Sequence, residues 1–116
     1  MRLALTASAN GLSSRRTDVS GINWAGVAKG AVDVAELHAP FSHQELILRQ
    51  ALGLTDSTTV NPSGGALAAN PIMTAGLIRF GELAQRISAG EADRGIAHAT
   101  SGACLQQNLV AVLEGE

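Results

Sequence analysis

The stretch from Val60 to Ile87, VNPSGGALAANPIMTAGLIRFGELAQRI, constrains this chain more than any other. It opens on Asn61-Pro62-Ser63-Gly64-Gly65, an extended, turn-rich piece. Its paired glycines let the backbone approach a ligand or another strand where a Cβ would clash. Asn70-Pro71 then reads as a helix start, with Asn70 as N-cap and Pro71 at the first helical position. Met73, Leu77, Phe80, Ala84 and Ile87 follow at spacings of three and four, giving a helix Pro71–Ala89 one apolar face that ends at Gly90. A glycine-rich loop feeding a helix N-terminus sets N–H groups beside a cavity, an arrangement suited to an oxyanion or a thioester oxygen. Most such loops only turn the chain.

The flanking segments set the layers. Residues 2–8 read as a first strand rather than a leader, although Ala7-Ser8-Ala9 resembles a cleavage site. Asn10–Ser20 is turn-rich and should be an exposed loop; its Arg15-Arg16 pair is either solvated or a contact for a nucleotide phosphate. Ile22–Gly30 offers a short helical turn around Trp24 and Val27. Val32–Leu37 alternates as a strand with one wetter face and ends at His38-Ala39-Pro40-Phe41. Ser42 and Glu45 form a capping-box pattern for a helix His43–Leu52, with Leu46, Ile47, Ala51 and Leu52 inward and a stop at Gly53. Asp56–Thr59 is polar loop.

Beyond the long helix, Gly95–Thr100 reads as a buried strand, Ser101-Gly102 as a tight turn, and Leu109–Leu113 as a strand covered on both faces. Alternation of strands and helices predicts a single α/β domain over 1–116, a layered mixed sheet whose last two strands are antiparallel.

Composition narrows the function classes. The 116 residues carry a net charge of −2, without the basic excess of a nucleic-acid binder. One tryptophan, two phenylalanines and no tyrosine leave the core to aliphatic side chains. Cys104 stands alone, so neither an internal disulfide nor a cysteine-based zinc site is expected, and a reducing, cytoplasmic setting suits it. No apolar run approaches the roughly 20 residues that span a bilayer. No metal or permanently bound cofactor is expected.

Several side chains are candidates for chemistry. His38 ends a predicted strand, where ligand sites of open α/β sheets lie. His43 falls in the first turn of the next helix, and His98 on a buried strand where a neutral structural histidine is the ordinary outcome. Cys104 is a nucleophile or a small buried hydrophobe. Asn61 and Asn70 flank the Gly64-Gly65 loop and offer amide donors to a carbonyl oxygen, or serve as turn and cap residues.

Three blocks, VDVAELHAPFSHQELILRQALGL, VNPSGGALAANPIMTAGLIRFGELAQRI and GIAHATSGACLQQNLVAVLEGE, together resemble the C-terminal half of the thiolase superfamily. The nearest branch is the sterol-carrier-protein and lipid-transfer-protein-like, acetyl-CoA acetyltransferase-like one. The resemblance covers roughly residues 31–116 and implies an acyltransferase acting on coenzyme A thioesters in lipid metabolism, working as an oligomer. It places His38 where a histidine holds the thioester oxygen, with Pro40 in place of the family's cysteine. Asn70 stands where the family has a histidine base, and an amide cannot act as one. Gly64, Gly65, His98, Ser101 and Gly102 then line the acyl-CoA site, and Thr100-Ser101-Gly102 is the counterpart of a Cys-x-Gly. The family's nucleophilic cysteine belongs to an N-terminal half, so the implied partner is such a half or a second copy of the chain. Two other functions stay open: a non-catalytic assembly subunit, and a retro-aldol lyase on acyl-CoA thioesters.

Overall fold

The apolar strand runs and the two amphipathic segments assemble into a mixed sheet with a helix on each face. The computed structural model describes residues 2–8, 30–102 and 107–115. In chain order the elements are β1 (Arg2–Ser8), β2 (Val34–Leu37), α1 (Ser42–Ala51), β3 (Thr59–Val60), α2 (Gly65–Ala68), α3 (Ala75–Ser88), β4 (Arg94–Ser101) and β5 (Gln107–Glu114). The five strands lie in the order β1-β5-β4-β2-β3. β2 is parallel to both β3 and β4, whereas β5 is antiparallel to β4 and to β1.

Alternation along the strands divides the core. Val34, Ala97, Ala111 and Leu113 pack with Leu83 and Ile87 of α3 on one face. Ala35, Leu37, Ile96 and Val112 pack with Leu48 of α1 on the other. Close layering depends on small residues, as the scarcity of aromatics implies. A Cβ on Gly95 would collide with Leu83 Cδ1 and lie 2.9 Å from the Val34 carbonyl oxygen, so only glycine lets α3 sit this near β4.

The α/β class, the strands at 2–8, 94–101 and 107–114 and the antiparallel final pair agree with the sequence expectation. Several local expectations are corrected. β2 has no wetter face: all four of its residues are buried, because helices cover both sides and Glu36 is paired internally. The capping box does not form. Phe41 is the N-cap of α1 without a side-chain hydrogen bond, and Glu45 instead accepts a hydrogen bond from Asn61. Anchoring α1 through Leu48 and Gln44, one turn apart, turns Leu46 and Ile47 outward; they are 67% and 45% exposed.

α3 begins at Ala75 with Thr74 as N-cap, not at Pro71. Residues 71–74 form a turn closed by the Thr74 N–H on the Pro71 carbonyl, and Asn70 is engaged elsewhere. The buried stripe of α3 is Ala75, Arg79, Leu83 and Ile87. Phe80 and Ala84 are half-buried, while Met73 and Leu77 are exposed. The helix is rotated so that Arg79 faces Glu36. Gly90 closes it in the left-handed region, at φ 73.

β3 and α2 form within segments expected to be loop. Leu109 of β5 is 41% exposed, so that strand is not covered throughout. The loop Asn10–Ser20 with Arg15-Arg16, the turn at Ile22–Gly30 apart from Gly30, and Cys104 lie outside the described residues. No described helix is long and apolar enough to cross a membrane.

Candidate functional site

β2, β3 and β4 run parallel, so their carboxyl ends share one edge of the molecule, joined there by the start of antiparallel β5. Ligand sites in open α/β sheets form at such an edge. His38 directly follows β2, Asn61 follows β3, Ser101 ends β4 and Asn108 opens β5. The fold thus gathers His38, Asn61, His98, Ser101 and Asn108 at one end.

His38 is 7% exposed and is held by two contacts. The Thr100 N–H points to its Nδ1 at 3.4 Å, which leaves the proton on Nε2. Nε2–H then donates to Asn70 Oδ1 at 3.1 Å, closing a link between positions 32 residues apart. Asn70 is exposed, on the segment between α2 and α3. The His38–Asn70 pair therefore offers a buried imidazole donor with an amide at the surface.

His98 is sealed, at 1% exposure. Its Nε2 lies 2.9 Å from Asn108 Oδ1. Burial lowers its pKa to about 4; the hydrogen bond to Asn108 opposes that shift and the nearby His38 adds to it. The ring is therefore neutral near pH 7, with Nε2–H donated to Asn108. Its buried Nδ1 has no hydrogen-bond partner among the described residues.

The Gly64-Gly65 loop is built for its own geometry. Gly64 and Gly65 have φ 91 and 62, and added Cβ atoms would meet Ala68 Cβ at 2.7 Å and Asn61 Cγ at 2.9 Å. Asn61, itself left-handed at φ 50, accepts the Leu37 N–H at 2.6 Å and donates to Glu45 Oε2 at 2.8 Å. Both ends of its amide serve the fold, and with α2 only four residues long the loop does not lead into a dipole-bearing helix. Ser101 Oγ donates to Gln107 Oε1 at 2.9 Å, and Gly102 has φ 83. His43 is exposed and stacks on Phe41, with ring centroids 5.8 Å apart.

Sequence reasoning missed the group that pins this edge. Glu36 accepts from Arg79 Nη1 at 3.3 Å, from Ser63 Oγ at 2.7 Å and from the Ser63 N–H at 3.0 Å. Arg79 Nη1 also donates to Ser63 Oγ at 2.8 Å. A glutamate in an otherwise apolar strand was the available signal, since a fully buried carboxylate requires a partner. Among the described residues no group of three His, Cys, Asp or Glu side chains comes together to hold a metal ion.

Chemically, the edge offers the Asn70 amide N–H groups to a carbonyl oxygen, while the His38 Nε2–H, already given to Asn70 Oδ1, would reach such an oxygen only by leaving that partner. His98, whose Nδ1 has no hydrogen-bond partner among the described residues, is closed to solvent. No protein-family model matches the chain, and no curated protein matches it.

Proposed function

We propose that the chain is a thiolase-like C-terminal half-domain that binds acyl-CoA thioesters at the His38–Asn70 edge and relies on another chain for the nucleophile. The observation that supports this is the 3.1 Å contact between His38 Nε2 and Asn70 Oδ1. It unites the two positions that the sequence resemblance assigns to the thioester oxygen and to the neighbouring histidine base. The Thr100 N–H on Nδ1 favours the tautomer in which His38 donates through Nε2. Once a thioester oxygen takes the place of Asn70 Oδ1, that N–H stabilises charge on it without itself moving a proton. Asn70 can add an amide donor but accepts no proton from a nucleophile at neutral pH.

Isothermal titration with acetyl-CoA and with free CoA tests the reading. Acetyl-CoA should bind more tightly than CoA, and His38→Ala should remove that difference while leaving the thermal melt cooperative. Equal binding of the two by the unmodified chain would overturn it.

A second reading, a non-catalytic assembly subunit, is favoured by the apolar surface beside Asn70. Ile72, Met73 and Leu77 are 82%, 95% and 72% exposed. Absence of any CoA-thioester binding, together with stable association with a second protein chain, would select it.

A further inference from the structure

We propose that residues 67–74 form a gate over His38, latched shut in the free chain by Asn70 Oδ1 and opened when another oxygen takes that atom's place on the Nε2–H. The latch is a property of the chain alone; only the identity of the incoming oxygen rests on the thioester reading.

The segment is clamped at its base. Ser63 Oγ accepts from Arg79 Nη1 at 2.8 Å across 16 residues of sequence, and both side chains bind the buried Glu36. The chain therefore leaves and returns at one fixed point, the layout of a compact surface loop with close ends. Inside that clamp Ala66 and Ala75 are buried, and an added Cβ on Gly76 would collide with Ala99 of β4. Between those anchors every residue from Leu67 to Thr74 is exposed.

Burial does not hold this stretch in place, because its large apolar side chains, Leu67, Ile72 and Met73, face solvent. Its backbone hydrogen bonds are local. The Ala68 and Ala69 N–H groups donate to the Gly64 and Gly65 carbonyls, and the Thr74 N–H donates to the Pro71 carbonyl. Among the described residues, one hydrogen bond ties 67–74 to anything beyond residues 64–78: the contact of Asn70 Oδ1 with His38 Nε2 at 3.1 Å. A segment with few buried contacts and a single tether opens at low cost, without unfolding the domain around it.

The tether also occupies the place a ligand would need. His38 Nδ1 already faces the Thr100 N–H, so Nε2–H is the one polar group the ring has to offer. Asn70 Oδ1 is itself an amide carbonyl oxygen, chemically a stand-in for the carbonyl oxygen of a ligand. In this state the chain fills its own donor site.

Hydrogen exchange without ligand tests the latch. In Asn70→Ala the Ala68, Ala69 and Thr74 amides should exchange roughly two- to tenfold faster, the net worth of one hydrogen bond, while the β4 amides hold. His38→Ala should have the same effect, and the double variant should add nothing further. Reaction with diethyl pyrocarbonate, mapped on peptides by mass, tests the gate. His38 should be modified faster in Asn70→Ala, with exposed His43 unchanged and sealed His98 unreactive. Asn70→Asp, whose carboxylate accepts more strongly, should slow His38 below the parent. Acetyl-CoA, but not free CoA, should speed exchange of the same three amides in the parent. Unchanged exchange or unchanged His38 reactivity in Asn70→Ala would overturn the gate, as would free-peptide exchange of those amides in the parent. Ligand-free responses as stated, with no effect of acetyl-CoA, would uphold the gate and refute the thioester reading instead.

Discussion

Arg79 Nη1 lies 3.3 Å from Glu36 Oε2, across 43 residues of sequence, and the two side chains are 4% and 0% exposed. Ser63 bridges them, so one buried pair joins β2, α3 and the loop that carries Gly64 and Gly65. A buried ion pair adds little net stability over an apolar pair of the same shape, yet leaving one charge alone is costly. Glu36→Gln or Arg79→Met should each cost about 3–5 kcal/mol in denaturant melts. The joint replacement Glu36→Leu with Arg79→Met should cost clearly less than the sum of the two. Additive losses would show that the pair does not act as a unit.

Acid should loosen the fold through His98. Burial favours its neutral form and lowers the folded pKa from 6.5 to about 4. The unfolded chain therefore takes up the proton first. The stability contribution is complete above pH 6.5 and is lost as pH falls from 6.5 toward 4. By pH 5 the loss should reach about 2 kcal/mol in urea melts. His98→Gln keeps a donor for Asn108 without titrating and should flatten this dependence between pH 6.5 and 5.

Two glycines should respond oppositely to alanine. Gly95→Ala drives a methyl into Leu83 and the Val34 carbonyl, and should cost about 1–3 kcal/mol. Gly81, exposed in the middle of α3, has nothing within 4 Å of an added Cβ. Gly81→Ala should therefore stabilise the chain by about 0.5–1 kcal/mol through helix propensity. Thermal melts of the two variants beside the parent check both signs.

The isolated chain should not cleave acetoacetyl-CoA with CoA. Asn70 has no basic lone pair near neutral pH, and the accessible His38–Asn70 edge supplies donors rather than a nucleophile. Following the enolate absorbance of acetoacetyl-CoA measures this directly. Protein-dependent turnover abolished by Cys104→Ser would make that thiol the nucleophile and refute the expectation.

Periodicity and turn chemistry are local properties, and they determined what the sequence could tell by itself. The apolar runs within β4 and β5 announce strands, the spacing of Phe80, Ala84 and Ile87 announces a helix, and Gly53 and Gly90 end helices in left-handed conformations. The mixed α/β layering follows from the order of those elements. Only the tertiary structure decided how each helix turns about its axis, because an apolar stripe tolerates rotation until a specific partner selects one face. Leu46 and Ile47 of α1 and Met73 and Leu77 near α3 point outward since Leu48 and Arg79 found partners on the sheet. Asn70 looked like a helix cap, the short-range use of an asparagine before proline; the approach of its segment to the carboxyl end of β2 gave it His38 instead. Such pairings join residues tens of positions apart, and no local propensity carries information across that distance.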